Sequence, residues 1–377
     1  MVRCGPSEDA QAHVFDSSLT LKIAFVSADF GQERRFDGSF VKTPGGSCHQ
    51  RCVMPAQALT EFGGIETGVF NDAVAKPTGE IVPLDDQKLT VSGDWDVIVL
   101  QRWNRPGLAQ AVTRARDAGQ TVVFDIDDHY WAIHRSSDAH SGGWDSPEHA
   151  EALRAANLVT VSTPFLAEVV KGHGCTNVQV IRNMIDLRQW TRQPVRPKVE
   201  TIGWVGVTNL RSGDLEVMGQ SIRHFMRDHQ EIRFIHGGHS PQNAPIHKIL
   251  GIPKTRTDMR PMCPIQHYPK LWKGIDIALC PLSDVDFNRA KSALKPMQAS
   301  AAGVPFIASP LPEYEAYGQG MRASTPDEWS GALDSMLEQW VRQQVADEAH
   351  DRVQAEDVSV RWGEWSEAYS QTALACG

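Results

Sequence analysis

Long apolar runs, cysteine and an excess of positive charge are all scarce in this 377-residue sequence. No apolar run reaches the ~20 residues that a membrane-spanning helix needs, and no signal peptide is visible. The seven cysteines are odd in number and scattered, which favours reduced thiols and a cytoplasmic protein. The formal net charge of −9 gives no general attraction to nucleic acid or anionic membranes, although it permits a local basic cleft.

Internal repeats at solenoid spacing and low-complexity tracts are also absent from the sequence. Cys48, His49 and Cys52 form the only close cluster that contains cysteines, and they lack a second ligand pair at zinc spacing. We therefore predict no metal site there. Residues 1–20 are polar and patternless, which predicts a flexible leader. The remaining length is natural for two domains.

Short apolar runs alternate with helical segments along both halves of the chain. The predicted strands are residues 21–28, 94–102, 121–127, 158–163, 201–207, 231–238, 274–282 and 304–309. The predicted helices include residues 106–118, 214–227 and 326–344. This alternation is typical of parallel, doubly wound sheets, so we expect an α/β protein. Residues 193–200, with two prolines and mixed charge, are predicted to link the halves.

The most informative stretch is FNRAKSALKPMQASAAGVPFIAS, residues 287–309. It predicts a polar loop, a short helix and a buried strand, and in the helix Lys291, Lys295 and Gln298 would share one face. The opposite face would carry Leu294, Met297 and Ala301. Lysines in a first helical turn oppose the macrodipole unless a bound anion lies there, which favours an anion site. The alternative is a solvated face with two ordinary lysines.

A glycine pair follows the first predicted strand. Gly45 and Gly46 precede a helix start at which backbone N–H groups can approach a phosphate. The segment Ser47–Gln50 has the form of a capping box, and Arg51 either reaches the same anion or is a surface arginine. Pro55 argues against one unbroken helix here.

Several phrases, in order along the chain, carry a family resemblance. QASAAGVPFIA resembles the "EAMAxGxPVVA" phrase of GT-B glycosyltransferases of the retaining family 4 type, and VQVIRNMID is similar to their "VIPNGVD". Asn183 and Asp186 match the latter phrase. DIDD, residues 125–128, and FNRAKSALK, residues 287–295, resemble the phrases of a variant subgroup.

The resemblance implies two Rossmann-like domains facing each other across a cleft, with a C-terminal helix that crosses back to the first domain. The predicted boundaries are 21–192 for the acceptor-side domain, 193–200 for the linker, 201–347 for the nucleotide-sugar-binding domain and 348–377 for the returning helix. Trp362, Trp365 and Tyr369 form an apolar face on that last segment. Packing on the helix's own domain is the alternative explanation of this face.

The resemblance also implies a donor substrate, a nucleotide diphosphate sugar, whose leaving diphosphate is stabilised by cations and backbone dipoles without a metal ion or another cofactor. The predicted donor-binding residues are Gly45, Gly46, Arg51, Gly206, Asn209, Arg211, Asn288, Lys291, Ser292, Lys295 and Gln298. Arg211 is the only basic residue in a loop where the family usually has an Arg and a Lys.

The acidic segment after the strand at 121–127 admits three interpretations. Asp125 and Asp127 have the Asp-x-Asp form of the metal site in GT-A enzymes. Alternatively, Asp127, Asp128 and His129 lie at the floor of the cleft and orient the acceptor hydroxyl or receive its proton. The third interpretation is a structural cap on the next helix.

Two positions depart from the family pattern. Gln298 replaces a Glu that usually holds the donor ribose, and Ala290 replaces a Glu that contacts the donor sugar. Three hypotheses follow: an active retaining glycosyltransferase, a non-catalytic sugar-nucleotide-binding protein, or a sugar-nucleotide epimerase of the same fold. The sugar, the nucleotide base and the acceptor stay open; the acceptor can be a glycan, a protein or a modified nucleobase.

Overall fold

Two parallel sheets form the centre of the molecule. The computed structural model describes residues 21–34, 40–71, 94–104, 107–133, 145–208, 212–238 and 245–376. The first six-stranded sheet has the order β4-β1-β5-β6-β7-β8 and the second has the order β11-β10-β9-β12-β13-β14. Neighbouring strands within both sheets run parallel. The predicted α/β class with two Rossmann-like halves is confirmed.

The central strands of each sheet are short, apolar and buried, as parallel sheets require, while the edge strands β8, β11 and β14 are only partly buried. The strands of the first sheet are β1 (Lys22–Ser27), β4 (Glu66–Asn71), β5 (Val97–Gln101), β6 (Thr121–Ile126), β7 (Leu158–Val161) and β8 (Val178–Val180). Those of the second are β9 (Thr201–Val205), β10 (Arg233–Gly237), β11 (Thr257–Arg260), β12 (Ile277–Cys280), β13 (Phe306–Ala308) and β14 (Met321–Arg322). A separate antiparallel pair joins β2 (Phe30–Arg34) and β3 (Phe40–Pro44).

Helices alternate with the strands in both halves and pack on both sheets. In the first half they are α1 (Gly46–Cys48), α2 (Met54–Gly63), α3 (Leu108–Asp117), α4 (Pro147–Ala155) and α5 (Pro164–Gly172). In the second half they are α6 (Ser212–Glu216), α7 (Ser221–Asp228), α8 (Ile246–Ile249), α9 (Asp286–Arg289), α10 (Leu294–Ala301), α11 (Pro312–Tyr317), α12 (Pro326–Ser335), α13 (Gln339–Val353), α14 (Val358–Arg361) and α15 (Gly363–Cys376). None of the helices in the described part of the chain is long and apolar enough to cross a membrane.

The helix after β3 changes its form just before Pro55, which agrees with the prediction that this segment is not one regular helix. A π-helical segment, His49–Val53, joins α1 to α2, and Pro55 lies in the first turn of α2. Proline has no N–H to donate to a carbonyl four residues earlier, so the regular pattern cannot continue through it. The predicted capping box at Ser47 is wrong, because α1 already begins at Gly46 and its N-cap, Gly45, makes no side-chain hydrogen bond.

Two predicted helices are each divided into two. The segment at 214–227 consists of α6 and α7, separated by a turn in which Gly219 adopts φ +54. The segment at 326–344 consists of α12 and the start of α13. Because α13 runs unbroken from Gln339 to Val353, the predicted domain boundary at 347/348 falls inside one helix.

The last helix packs on the first domain, as the resemblance implied. Trp365 and Tyr369 of α15 are buried in one apolar cluster with Phe25 of β1 and Val99 of β5. The chain returns through a parallel bridge between Ile185 and Asp357, which ties the end of the first domain to the segment before α14. Contact with the second sheet alone, the alternative explanation of the aromatic face, is therefore excluded.

Candidate functional site

The carboxyl ends of both sheets border one pocket of about 1090 Å³. Ala28, Arg102 and Asp127 follow directly after β1, β5 and β6, and all of them line it. Gly206 and Leu282 follow β9 and β12 on the other side. Ligands of open α/β sheets bind outside the carboxyl ends of the strands, so this pocket is the candidate site.

The lysine-bearing segment forms the second-domain wall of the pocket. Lys291, Lys295 and Gln298 all line the pocket, together with Ser292. Lys291 lies in the turn between α9 and α10, so the single helix predicted over this segment is wrong. Pro296 cannot donate a backbone hydrogen bond, which fits a helix that begins only at Leu294. Leu294 also lines the pocket, although it was predicted on the opposite face.

Both lysine side chains rest against aromatic rings. The Nζ of Lys291 lies 4.3 Å from the ring centroid of Phe287, and the Nζ of Lys295 lies 4.8 Å from that of Trp204. Trp204 is fully buried and stacks on His236, with ring centroids 5.2 Å apart. These cation–π contacts help to hold each ammonium in place.

Gly206 makes room for this aromatic stack. A Cβ atom at Gly206 would lie 2.5 Å from the Trp204 ring, closer than real contacts allow. The Gly206 carbonyl also lies 3.0 Å from the Nε2 of His236. Gly206 is among the residues predicted from the sequence, whereas Trp204 and His236 are not. A signal for Trp204 was its position one residue before the end of β9.

The first-domain wall carries a network of charges around Arg102. Its Nη2 donates to Asp128 at 2.9 Å, its Nε lies 3.5 Å from Asp127, and its Nη1 lies 3.7 Å from Asp29. The hydroxyl of Tyr130 accepts from Arg102 Nε and donates to Asp127. Burial alone would lower the pKa of Arg102, but the surrounding Asp127, Tyr130 and Asp128 raise it well above its usual value.

Arg102 also has an unusual backbone. Its φ of 55° is the only left-handed value among the non-glycine residues in the described part of the chain. Such a conformation is uncommon for a side chain of this size and is found where surrounding contacts impose it. Arg102 and Asp29 are not among the residues predicted from the sequence. Their positions directly after β5 and two residues after β1 were the available signal.

The predicted role of the Gly45–Gly46 loop needs a correction. Gly46 lines the pocket, but Gly45 is packed against Asp29, where a Cβ would lie 2.3 Å from the carboxylate. The Asp29 side chain accepts a hydrogen bond from the Cys48 N–H at 3.0 Å, and the backbone carbonyl of Asp29 accepts one from the Gly45 N–H at 2.7 Å. The anion at the start of α1 is therefore the protein's own carboxylate.

Arg51 lies away from the pocket, contrary to prediction. Its fully buried guanidinium donates to both oxygens of Asp125, at 2.9 and 2.6 Å, and stacks 4.5 Å from the Trp365 ring. Nη1 donates to the Ile181 carbonyl and to the Asn183 side chain. This arginine is a structural clamp that joins β6, the end of the first domain and the returning helix α15.

The burial of Asp125 in this clamp argues against the interpretation of the acidic segment as an Asp-x-Asp metal site. Asp125 is 1% exposed and also accepts a hydrogen bond from Thr160. Burial raises its pKa, and the bonds from Arg51 oppose that rise. Asp127 and Asp128, in contrast, both line the pocket. Because only the second aspartate of the Asp-x-Asp pair reaches the pocket, the segment does not present the paired carboxylates of a GT-A metal site.

His129, the third residue predicted at the cleft floor, turns into the protein. It is 9% exposed, its ring lies near the rings of Trp131 and Phe165, and its buried Nδ1 has no hydrogen-bond partner. Burial lowers the pKa of His129. It does not line the pocket. His129 is thus set back from the residues that line the pocket.

The two domains are joined directly at residues 287–309, the predicted donor segment. The Asn183 side chain donates to Ser292 Oγ at 2.8 Å, and Thr163 Oγ1 donates to the Ala290 carbonyl at 3.1 Å. Ala290 is fully buried within the apolar cluster of the first domain. The position at which the family has a carboxylate is therefore filled by a close contact between the domains.

Two further predicted donor residues differ in their surroundings. Asn288 lines the pocket, but its amide group donates to Asp214 at 2.6 Å and to Ser283 at 3.0 Å. Asp214 in turn accepts the Ser283 N–H at 3.1 Å. Asn288 thus anchors its own loop. Gln298 lines the pocket at 8% exposure. Asn209 and Arg211 lie outside the described residues.

Comparison with solved structures gives the fold a name. One match is the Anabaena protein HepE in complex with UDP-glucose, with 16% identity and a TM-score of 0.60 over 93% of this chain and 100% of that chain. A second is sucrose-phosphate synthase from Thermosynechococcus elongatus, with 12% identity and a TM-score of 0.61 over 94% and 100%. The chain has the GT-B fold. No family model and no curated protein sequence matches the chain.

The GT-B fold extends to more distant structures. The pneumococcal O-GlcNAc transferase GtfA in complex with UDP and GlcNAc aligns with 12% identity and a TM-score of 0.52 over 73% of this chain and 56% of that chain. At identities this low the likeness concerns the fold. What the pocket of this chain binds must therefore be argued from its own residues.

Proposed function

We propose that this chain is a metal-independent, retaining glycosyltransferase, which moves a sugar from a nucleotide diphosphate sugar to an acceptor hydroxyl. The observation that carries the proposal is the meeting of Lys291 and Lys295 with Asp127 and Asp128 in one pocket, at the carboxyl ends of both sheets. The solved GT-B neighbours include complexes with UDP and UDP-glucose, which supports a nucleotide sugar as donor.

The donor side of the pocket suits a diphosphate leaving group. As the anomeric C–O bond breaks, negative charge accumulates on the diphosphate, and cations aimed at that position stabilise the transition state. Lys291 and Lys295 are held on aromatic rings at this wall, beside Ser292 and the start of α10. Two ammonium groups and a helix start supply the charge stabilisation for which a metal ion would otherwise serve.

The acceptor side has carboxylates in reach. Asp127 and Asp128 line the pocket opposite the lysines, and Arg102 fixes their positions. In the proposed reaction the acceptor oxygen bonds to the anomeric carbon, the bond to the diphosphate breaks, and one of these carboxylates orients the hydroxyl or takes its proton. The acceptor, whether a glycan, a protein side chain or a modified nucleobase, is left open by these groups.

A non-catalytic sugar-nucleotide-binding protein is the second candidate. The observation in its favour is the burial of Ala290 between the domains, because the family's sugar-contacting carboxylate has no counterpart at that place. An epimerase of the same fold would instead convert the donor without an acceptor. Both alternatives bind the same donor, so binding and turnover must be measured separately.

The first experiment is a thermal-shift panel of nucleotide sugars and nucleoside diphosphates, since a ligand that binds only the native state raises the melting temperature. We expect at least one uridine, guanosine or adenosine diphosphate compound to stabilise the protein. For that compound, Lys295→Ala should weaken binding about tenfold or more, because a hydrogen bond to a charged group contributes about 1.5–3 kcal/mol. Lys248→Ala, at an exposed lysine of the second domain, is the matched control.

Turnover then separates the three hypotheses. Release of nucleoside diphosphate that requires an acceptor supports transfer, while conversion of the donor alone, followed by NMR, indicates epimerisation. Binding without either reaction supports the non-catalytic candidate. If Lys295→Ala kept full affinity and rate, the proposed role of the second-domain wall would be wrong.

A further inference from the structure

One ion pair crosses the pocket from wall to wall. The ammonium of Lys291 donates to the Oδ1 of Asp128, which joins the segment between α9 and α10 to the loop after β6. The two side chains are only 14% and 15% exposed. Because the pair is poorly hydrated, water and salt screen it less than they screen surface ion pairs.

Asp128 has a second cation that does not depend on Lys291. Its other oxygen, Oδ2, accepts from Arg102 Nη2 at 2.9 Å. Arg102 is itself held by Asp127 and by the hydroxyl of Tyr130. If the ammonium of Lys291 moves to another anion, Asp128 therefore keeps one strong partner and its position at the pocket wall.

We propose that Asp128 occupies, in the ligand-free protein, the coordination of Lys291 that a donor diphosphate takes over, and that Arg102 is the positioning residue that retains Asp128 after the exchange. This inference rests on the proposed function. A diphosphate carries more charge than one carboxylate and wins the ammonium, but its affinity is reduced by the competition. Once Lys291 has left, Asp128 has lost one of the two cations that pair with it in the described part of the chain and becomes a better hydrogen-bond acceptor for an incoming hydroxyl.

The inference makes an unusual prediction about binding. Asp128→Asn removes the competing carboxylate, so a nucleoside diphosphate and inorganic pyrophosphate should both bind about three- to tenfold more tightly, the factor that an exchange of about 0.7–1.4 kcal/mol gives. Asp128→Glu restores the competitor and should return the affinity toward that of the wild type. Titration calorimetry on the full chain measures both ligands, and the melting temperature without ligand checks the folding of each variant.

The matched control is Asp286→Asn. Asp286 also lines the pocket, but its carboxylate pairs with Arg289. Its removal reports how far the loss of any negative charge near the pocket favours an anion. The inference requires a clearly larger gain for Asp128→Asn than for Asp286→Asn. Equal gains in the two variants would overturn it, as would unchanged or weaker binding by Asp128→Asn.

A double variant separates exchange from a general field effect. With Lys291→Met in the background, Asp128→Asn should no longer tighten pyrophosphate binding, because the competition needs both partners. An equal gain in both backgrounds overturns the inference while leaving the proposed function intact. If neither the wild type nor Asp128→Asn binds any nucleoside diphosphate or pyrophosphate, the inference and the proposed function both fail. Binding by Asp128→Asn alone would be the strongest support.

Discussion

The cations of the two domains are held in different ways. In the first domain, Arg51 and Arg102 are fixed by carboxylates, through two bonds to Asp125 and through the network that includes Asp128. In the second domain, Lys295 rests on the Trp204 ring, and Lys291 rests on the Phe287 ring and also forms an ion pair with Asp128. A guanidinium in a bidentate pair is committed to its partner, whereas an ammonium over a ring can still bind an anion. The first domain is thus a rigid frame and the second carries the exchangeable charge.

The largest expected effect tests the rigid frame. Arg51→Met should lower the free energy of unfolding by about 3–5 kcal/mol, because it leaves the Asp125 carboxylate buried without its cation. Chemical denaturation measures the change. Arg227→Met, which removes an exposed pair with Asp228, is the matched control and should leave the free energy of unfolding nearly unchanged.

If Arg51→Met lost only a little stability, Arg51 would not be part of a rigid frame in the first domain. If Arg51→Met kept its stability but bound nucleotides more weakly, Arg51 would be a donor-binding residue after all. The structure argues against that outcome, since the guanidinium has no exposed surface and already bonds Asp125, Asn183 and the Ile181 carbonyl.

The sequence predicted the second-domain wall better than the first, for a physical reason. Lys291, Ser292 and Lys295 lie on one short continuous segment, so the pattern of that segment sufficed to group them. Arg51 and Asp125 are 74 residues apart and meet only when the first sheet forms. Whether an arginine after a glycine pair faces a ligand or a buried carboxylate depends on that long-range contact, which no local pattern contains.

The fold followed from periodicity more directly than the site did. Apolar strands that alternate with helices predicted two parallel sheets, and both are present. The orientation of His129 could not be predicted, because it depends on Trp131 and Phe165 packing around the ring. Asp29 and Arg102 escaped notice since each is a single polar residue beyond a strand end, a position that acquires meaning only when the neighbouring strand ends are known.

Asn183 connects the rigid frame of the first domain to the lysine-bearing segment of the second. Asn183 accepts a hydrogen bond from Arg51 at 3.1 Å and donates one to Ser292 at 2.8 Å, so it links the first domain to the donor segment. Asn183→Ala should lower the free energy of unfolding by about 1–2 kcal/mol, since two partly buried hydrogen bonds are lost. Denaturation curves and nucleotide titrations on the same samples separate the two effects.

Asn177→Ala is the control for Asn183→Ala. Asn177 donates to the Asn157 carbonyl at 2.6 Å from an exposed position, so its loss should cost less. A larger loss of stability in the control would show that the link between the domains carries little energy. A nucleotide affinity unchanged in Asn183→Ala would show that the donor segment keeps its geometry without the first domain.

The smallest expected effect concerns Gln298, in the second domain alone. Gln298 lines the pocket on α10, at the position where the resemblance places a ribose-binding Glu. A carboxylate accepts a hydroxyl hydrogen bond about twice as strongly as an amide oxygen does, but it also repels a diphosphate nearby. Gln298→Glu should therefore raise the affinity for a nucleoside diphosphate relative to pyrophosphate by about three- to tenfold, the ratio that about 1 kcal/mol gives. Calorimetric titration of both ligands yields this ratio.

The ratio is the informative quantity because the repulsion acts on both ligands while the ribose bond acts on one. Gln339→Glu, at an exposed position on α13, adds the same charge outside the pocket and should leave the ratio unchanged. If Gln298→Glu weakens both ligands equally, Gln298 does not contact the ribose, and the pocket would bind its donor through the lysines alone. The exchangeable charge of the second domain would then account for affinity but not for selection among nucleotides.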